Sequence, residues 1–472
     1  MYSLFILGSV SFIVCLILTP ICRDLFTHWG IFDKPDDVRK LHGREIPRVG
    51  GIPLALSFVA ALLLALLIPV SAGGIVRHAL PFAMRLLPAA GLMFAVGLVD
   101  DLIGLTPWQK LAGQVAASLL ALWAGIRLDS IAGHAMPWWI AGPGTVIWLV
   151  GCANALNLID GLDGLAAGVG FFATVTALIA ALLTNNFRLA IATVPLVGAL
   201  LGFLRYNFNP ATIFLGDSGS LLIGFLLGCY GILWSEKSAT ILGITAPLMA
   251  LSIPLLDVGL AIVRRFLKQQ PIFAPDRGHI HHKLLARGLT PRRVALILYM
   301  ACSVSAGLSL LQSVANDQFA GVIIIFFCLC AWIGIQHLGY VEFGTARKMM
   351  MGGGFRSVLN ARILLANVEQ ELQLAPDIDA CWELIRKTHR KFGFTAVEFM
   401  VNGMRHSESG EGAGRDSWSV IIHLDDDYVR LSRADTTTEE PGLAASYVEC
   451  VRKALLSRVT QARIDLAYAA KV

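Results

Sequence analysis

Residues 154–183 read NALNLIDGLDGLAAGVGFFATVTALIAALL. From Asp163 to Leu183 the run is almost wholly apolar, and no charged residue follows Asp163 until Arg188. A helix crossing a bilayer needs about 20 mostly apolar residues, because a hydrocarbon core of about 30 Å offers the backbone no partner outside the helix itself. A run of that length without a polar face is a spanning segment, and it decides the fold class.

Working outward with the same window gives eleven candidate spans. They lie near 2–20, 50–70, 84–99, 109–125, 141–158, 163–183, 187–206, 218–234, 240–263, 293–312 and 319–339. Gly142, Pro143 and Gly151 interrupt the fifth. The first, from Leu4 to Pro20, has no basic residue before it and no small-residue cleavage pattern after it, so it reads as a retained helix. Of the 472 residues, 56% are hydrophobic and 15% charged, with mean hydropathy +0.67. A soluble chain carries about 25% charged residues. The deficit is uneven, since 35 of the 71 charged side chains fall after residue 340. The expected fold is an all-α polytopic membrane protein of about eleven spans over 1–340, followed by a small cytoplasmic α/β domain over 341–472. In that tail, helices are expected near 361–373, 378–392 and 443–459, and strands near 395–402, 417–424 and 428–434. Asp425, Asp426 and Asp427 read as a turn, and Gly352, Gly353 and Gly354 as a linker.

Lys and Arg set the orientation. With the N-terminus outside, 16 of the 21 basic residues before position 341 fall on inner loops, mostly 21–49 and 264–293. Of the 15 acidic residues in the same region, only Asp129, Glu236 and Asp317 fall outside. Asp100, Asp101, Asp160, Asp163 and Asp217 gather at inner helix ends, and ionisable groups at that depth are costly enough to suggest function. The net charge of +5 follows from this loop bias and suggests no nucleic acid partner. The nine cysteines include no CxxC pair and mostly sit in apolar runs, where they pack.

Five motifs carry chemistry. Asp100-Asp101-Leu102-Ile103-Gly104 closes the third span. Two adjacent carboxylates repel, and a helix C-terminus disfavours both, so the pair needs a compensating cation such as Mg²⁺. In the second motif Asn154, Asn157 and Asp160 share one helical face, while the Asp-Gly steps are turns and Asp163 is a candidate cap for the sixth helix. Phe214-Leu215-Gly216-Asp217-Ser218-Gly219-Ser220 opens the eighth span, where a helix N-terminus attracts anions and Asp217 or Ser218 is a candidate N-cap. Asp276-Arg277-Gly278-His279-Ile280-His281-His282-Lys283 fits zinc spacing poorly and suits phosphate and sugar recognition better. Residues 39–51, RKLHGREIPRVGG, form a basic loop able to hold an anionic lipid headgroup through Lys40, His42 and Arg48. Asp257, inside the ninth expected span, is assigned no role.

In this order the five motifs resemble the polyprenyl-phosphate N-acetylhexosamine-1-phosphate transferase family of the MraY/WecA type, over roughly residues 1–340. The resemblance implies ten or eleven helices around a cytoplasmic Mg²⁺ site, Mn²⁺ serving as an alternative. Asp217 matches the principal metal ligand and Asn157 a second. Asp100 and Asp101 match the pair that binds or deprotonates the lipid phosphate, and Asp163 is catalytically important. Asp160, Gly161, Leu162, Asn207 and Phe214 match positions around the uridine, with Asn154 beside them. Arg277, His279, His281 and His282 would orient the sugar phosphate, and their spacing resembles the branch that uses UDP-N-acetylglucosamine. Two departures stand out: Gly104 replaces a frequent third acid, and shorter members have no counterpart of the tail. The implied reaction moves N-acetylhexosamine-1-phosphate from a UDP-sugar to undecaprenyl phosphate at the inner membrane, as the first membrane step of cell-surface polysaccharide synthesis. Direct attack by the lipid phosphate is favoured over an aspartyl-phosphate route. A homodimer stays open. The rival class is an ion-coupled transporter, which calls for midplane acids and an internal repeat, and neither is visible here.

Overall fold

The computed structural model of the protein describes residues 2–30, 46–67, 74–131, 134–235, 245–267, 278–314, 317–338, 364–365, 367–401, 404–409, 417–424, 427–434 and 444–456. The chain separates into two compact units, Met1–Tyr340 and Val341–Val472.

The first unit is helical. It comprises α1 (Tyr2–His28), α2 (Gly51–Leu67), α3 (Gly74–Ile103), α4 (Pro107–Trp123), α5 (Trp138–Ile159), α6 (Leu165–Leu183), α7 (Phe187–Asn207) and α8 (Gly216–Ser235). After these come α9 (Thr245–Ala250), α10 (Ser252–Leu267), α11 (Ile280–Ala286), α12 (Pro291–Val314) and α13 (Asp317–His337). A short antiparallel ladder, β1 (Ser130–Ile131) with β2 (His134–Ala135), lies between α4 and α5. Among the described residues eight helices are long and apolar enough to cross a membrane: α1, α3, α5, α6, α7, α8, α12 and α13. The protein is therefore a multi-pass membrane protein, but the expected eleven spans are not all of full length. Helices α2 and α4 have 17 residues each, and the ninth expected span is broken at Leu251. Prolines explain the break. Pro247 in α9 lacks an amide donor, and Pro254 sits in the first turn of α10, where the missing N–H has no intrahelical partner to lose. Pro143 lies early in α5 and leaves that helix continuous from Trp138 to Ile159.

Burial ranks the helices. In α8, 94% of the spanning window is buried, against 6% in α13. A helix that is apolar all round belongs inside a larger assembly, and α8 packs against α2, α3, α5, α6, α7 and α9. By contrast α13 exposes Phe319, Ile325, Phe326, Trp332 and Ile333, a surface suited to lipid and not to water. The first turn of α8 is reached closely from α3, because a Cβ on Gly97 would lie 2.4 Å from the Asp217 carbonyl oxygen.

The second unit holds a four-stranded antiparallel sheet of order β4-β3-β6-β5, made of β3 (Ala396–Val401), β4 (Met404–Ser409), β5 (Ser417–Leu424) and β6 (Asp427–Ala434). Val397, Phe399, Ile422, Leu424, Val429 and Leu431 alternate inward, as a half-buried sheet requires. They pack with Leu372 of α14 (367–374), Trp382 and Ile385 of α15 (Ile378–Thr388), and Tyr447, Val451 and Leu455 of α16 (444–456). Three strands fall where the sequence predicts them. The fourth, β4, reads MRHSES and has no apolar alternation to announce it; among the described residues it is an edge strand paired only with β3. Asp427 is not in a turn but opens β6 opposite Leu424. Asp425, Asp426 and the Gly352–Gly354 linker lie outside the described residues.

Candidate active site

The short connection between α3 and α4 creates the first contact. Gly104, at φ +72°, ends α3. Thr106 and Gln109 then form a capping box with Pro107 at the start of α4. Such a tight hairpin puts the first turn of α4 beside the last turn of α3, and Lys110 Nζ donates to Asp100 Oδ2 at 2.9 Å. Lys110 also pairs with Asp217 Oδ2 and approaches Asn157 Oδ1 at 3.5 Å. Three oxygens from α3, α5 and α8 thus converge on one ammonium.

Asp101 turns the other way. Its Oδ1 accepts from the Asp217 N–H at 2.7 Å and its Oδ2 from the Ser218 N–H at 2.8 Å, so a side chain of α3 caps α8. The expected cap by Asp217 or Ser218 is corrected: both lie inside the first turn, and their amides are the orphan donors that Asp101 satisfies. Gly216 makes room with φ +74°, since a Cβ there would lie 2.6 Å from Asp101 Oδ2. The repulsion anticipated between the two aspartates is relieved by sending one to a helix N-terminus and the other to a lysine.

Arg48 completes the cluster. Phe214 N–H bonds Pro47 O, while the amides of Gly50 and Gly51 bond Phe214 O and Leu215 O, which lays the 46–51 segment along the loop before α8. Arg48 Nη2 then donates to Asp217 Oδ1 at 2.6 Å, with its Nε 3.6 Å from Asp101 Oδ1. The Arg48 side chain stays 44% exposed while Asp217 is 8% exposed, so the centre opens on the arginine side.

The other expected residues form a surrounding layer. Asp160 caps the C-terminus of α5, and burial pushes its carboxyl well above the usual range; Arg48 opposes this, while Asp217, Asp101 and Asp163 reinforce it. Asp163 does not cap α6; that position is Gly164, in left-handed conformation. Its Oδ2 instead accepts from Asn209 Nδ2 at 2.9 Å and the Ala211 N–H at 3.0 Å, because the 208–215 loop has donors to satisfy. Asn207 Nδ2 donates to Ile213 O at 2.9 Å in the same loop, and its Oδ1 is buried without a partner among the described residues. Phe214 is half-buried there and Leu162 is buried. Asn154 is not brought to the cluster: its amide is spent on Gln114 Oε1 at 2.6 Å and Val150 O at 2.8 Å. Asn157 Nδ2 donates to Ser220 Oγ at 2.9 Å.

The histidine segment meets the Asp160–Gly161 turn. His279 and His281 stack with ring planes 8° apart, and the ring of His282 lies 4.3 Å from that of His281. A Cβ on Gly161 would be 2.9 Å from His281 Nε2. Both ring nitrogens of His281 are buried without a partner among the described residues. Burial, then the neighbouring His282, lowers its pKa to about 3, with Asp257 opposing, so the ring is neutral. Lys40, His42 and Arg277 lie outside the described residues.

Sequence reasoning missed Lys110, counted only as a charge of the inner loops. The signal was its place ten residues after Asp100, across a Gly-x-Thr-Pro turn that folds α4 back along α3. Among the described residues no group of three or more His, Cys, Asp or Glu is assembled as a metal cluster. The donor set at Lys110 nevertheless suits Mg²⁺, which usually takes one or two carboxylates plus substrate phosphates. Two carboxylates and an amide oxygen already surround a cation there.

Fold and site together define a polytopic membrane protein with a carboxylate and ammonium centre at one end of its bundle. Residues 83–235, spanning α3 to α8 with most of that centre, match the family described as Glycosyl transferase family 4. The chain is 36% identical over 299 residues to a Bacillus subtilis protein named "Probable undecaprenyl-phosphate N-acetylglucosaminyl 1-phosphate transferase", covering 62% of this chain and 80% of that one. It is 32% identical over 336 residues to the "Decaprenyl-phosphate N-acetylglucosaminephosphotransferase" of Mycolicibacterium smegmatis, covering 64% and 80%. With the "Undecaprenyl-phosphate alpha-N-acetylglucosaminyl 1-phosphate transferase" of Escherichia coli K12 it shares 28% over 320 residues, covering 64% and 82%. The chain belongs to the polyprenyl-phosphate N-acetylhexosamine-1-phosphate transferase family of the MraY/WecA type. Nothing in these likenesses favours an ion-coupled transporter.

Proposed function

We propose that the protein transfers N-acetylglucosamine-1-phosphate, or a related N-acetylhexosamine-1-phosphate, from a UDP-sugar to undecaprenyl phosphate at the cytoplasmic face of the inner membrane. The observation that carries this is the convergence of Asp100, Asp217 and Asn157 on Lys110, with Arg48 on the open side of Asp217. A site of alternating cationic and acidic groups at the membrane edge suits two phosphorylated substrates, one soluble and one lipid. The names of the relatives support the acceptor class and the transferred sugar.

In the reaction, an oxygen of the lipid phosphate attacks the phosphorus that carries the sugar. The bond from that phosphorus to the bridging oxygen breaks, and UMP leaves with the oxygen, giving undecaprenyl-diphospho-sugar. Arg48 grips a phosphate through its planar fork. Lys110 offsets the charge of the entering phosphate, and Asp100 is the carboxylate beside it that keeps the attacking oxygen ionised. Asp101 is excluded from that task by its two backbone bonds, and acts by holding Asp217 in place. Neutral His281 beside Gly161, its ring nitrogens unpartnered among the described residues, has hydrogen-bonding capacity left for the sugar nucleotide. Mg²⁺, held by Asp217 and Asn157, would supply neutralisation of charge on the diphosphate and the departing UMP. Direct attack is favoured because each carboxylate of the centre already has a cation or an amide as partner.

The test incubates membranes holding the protein with undecaprenyl phosphate, labelled UDP-N-acetylglucosamine and Mg²⁺, beside Asp217→Ala. The expected outcome is label in the lipid phase and released UMP from the unaltered chain, and none from the variant. Absence of transfer from a panel of UDP-sugars by the folded protein would overturn the proposal.

A further inference from the structure

Asp257 belongs to none of the five motifs, yet it is 1% exposed on α10 and both its oxygens are engaged. Oδ1 accepts from the Ile280 N–H at 2.8 Å, and Oδ2 lies 3.0 Å from His279 Nδ1. The His279 side chain is itself only 6% exposed. A buried carboxylate accepts hydrogen bonds and cannot donate them, so the nitrogen facing it must carry a proton. A backbone amide has one role only, and Ile280 therefore fixes which oxygen is left for the ring. The carboxylate thus orients the imidazole about its own axis and sets its tautomer. The same two bonds tether α11, whose second residue is His281, the ring set against Gly161.

We infer that Asp257 is the positioning residue of the histidine segment, holding His279 with Nδ1 protonated and Nε2 turned away as the nitrogen that serves the sugar nucleotide. This rests on the transfer reaction proposed above. Asp257 touches no reacting atom; it acts through His279, as second partners of functional histidines do elsewhere. Asp257→Asn separates this role from mere packing, since the amide has almost the same shape. Its oxygen stays on the Ile280 amide, its NH₂ faces Nδ1, and the ring proton moves to Nε2. Packing is kept and the tautomer inverted.

The experiment uses the full-length protein in detergent, labelled with ¹⁵N-histidine. The His279 signals are identified by their loss in His279→Gln. In the unaltered protein Nδ1 is expected to be protonated, and in Asp257→Asn only Nε2. Transfer measured with both substrates saturating is expected to fall by about tenfold to a hundredfold in Asp257→Asn, with KM for the lipid phosphate unchanged and the thermal transition retained. An inverted tautomer with undiminished kcat would overturn the proposal, as would an unprotonated Nδ1 in the unaltered protein. The latter reading needs no variant, so misfolding of Asp257→Asn cannot shelter the idea. If the unaltered protein transfers nothing from any UDP-sugar, the reaction falls, while the ¹⁵N spectra still report whether Asp257 sets the ring.

Discussion

A carboxylate whose two oxygens accept from backbone amides has little left for a substrate, and Asp101 is in that state. Asp100, one residue earlier, bonds the Leu105 N–H with one oxygen and Lys110 with the other, and is more open to its surroundings. The two should therefore fail differently. Asp101→Asn presents an NH₂ to an N–H, and an unsatisfied buried donor costs about 1–3 kcal/mol; the expected result is a lower melting midpoint in detergent together with lost transfer. Asp100→Asn also turns an NH₂ on a donor, but at a more exposed place beside a flexible lysine, so its midpoint should fall less while transfer is lost. Equal melting of both variants would contradict this division. The sequence shows the Asp-Asp pair as chemistry but not its partition, because that depends on which helix end each side chain meets. Likewise Asp163 is legible as a motif residue, whereas its bonds to the Asn209–Ala211 loop depend on a fold-back that spacing alone does not encode.

At the scale of elements, the approach of α3 to α8 governs the site. Gly97 lets α3 reach the turn that carries Asp217, with 2.4 Å between a virtual Cβ and the Asp217 carbonyl oxygen. Gly97→Ala must push the helices apart, and overpacking of this kind costs about 1–3 kcal/mol. Reduced thermal stability and reduced transfer are expected together; a variant with the unaltered rate and midpoint would refute the account. Most helices were readable because hydropathy is a one-dimensional signal that a bilayer enforces. The break at Leu251 was not, since Pro247 and Pro254 lie inside a run long and apolar enough to read as one span. Burial of α8 was also invisible: lipid and protein interior select the same residues, so hydropathy cannot tell a central helix from a peripheral one. In the second unit β4 escaped for the opposite reason, its polar face and edge position leaving no alternation to read.

At the scale of the whole molecule, the unit Val341–Val472 has its own core and should have its own pH response. His389 is fully buried there; its Nδ1 donates to Arg386 O at 2.8 Å, and Nε2 has no partner among the described residues. Burial lowers its pKa, the two backbone carbonyls it meets opposing. The unfolded chain, with a histidine pKa of about 6.5, then binds a proton that the folded unit refuses, so stability is full above that pH and falls as pH drops below it. Melting of a 341–472 fragment between about pH 7.5 and 5.5 should show the decline, and His389→Gln should flatten it. An unchanged slope in that variant would assign the response to another group.

The central place of α8 bears on how the protein is made. The helix that carries Asp217 emerges after α1 to α7 and is enclosed by several of them as well as by α9. Until it enters the bundle, Asp101 has no amides to cap and Lys110 lacks one of its carboxylates. A ribosome stalled before residue 216 would leave in the membrane most of a bundle and none of its assembled centre. The order of synthesis therefore sets an order of assembly: the centre closes when α8 joins the helices made before it, and the histidine segment is added to a centre already built.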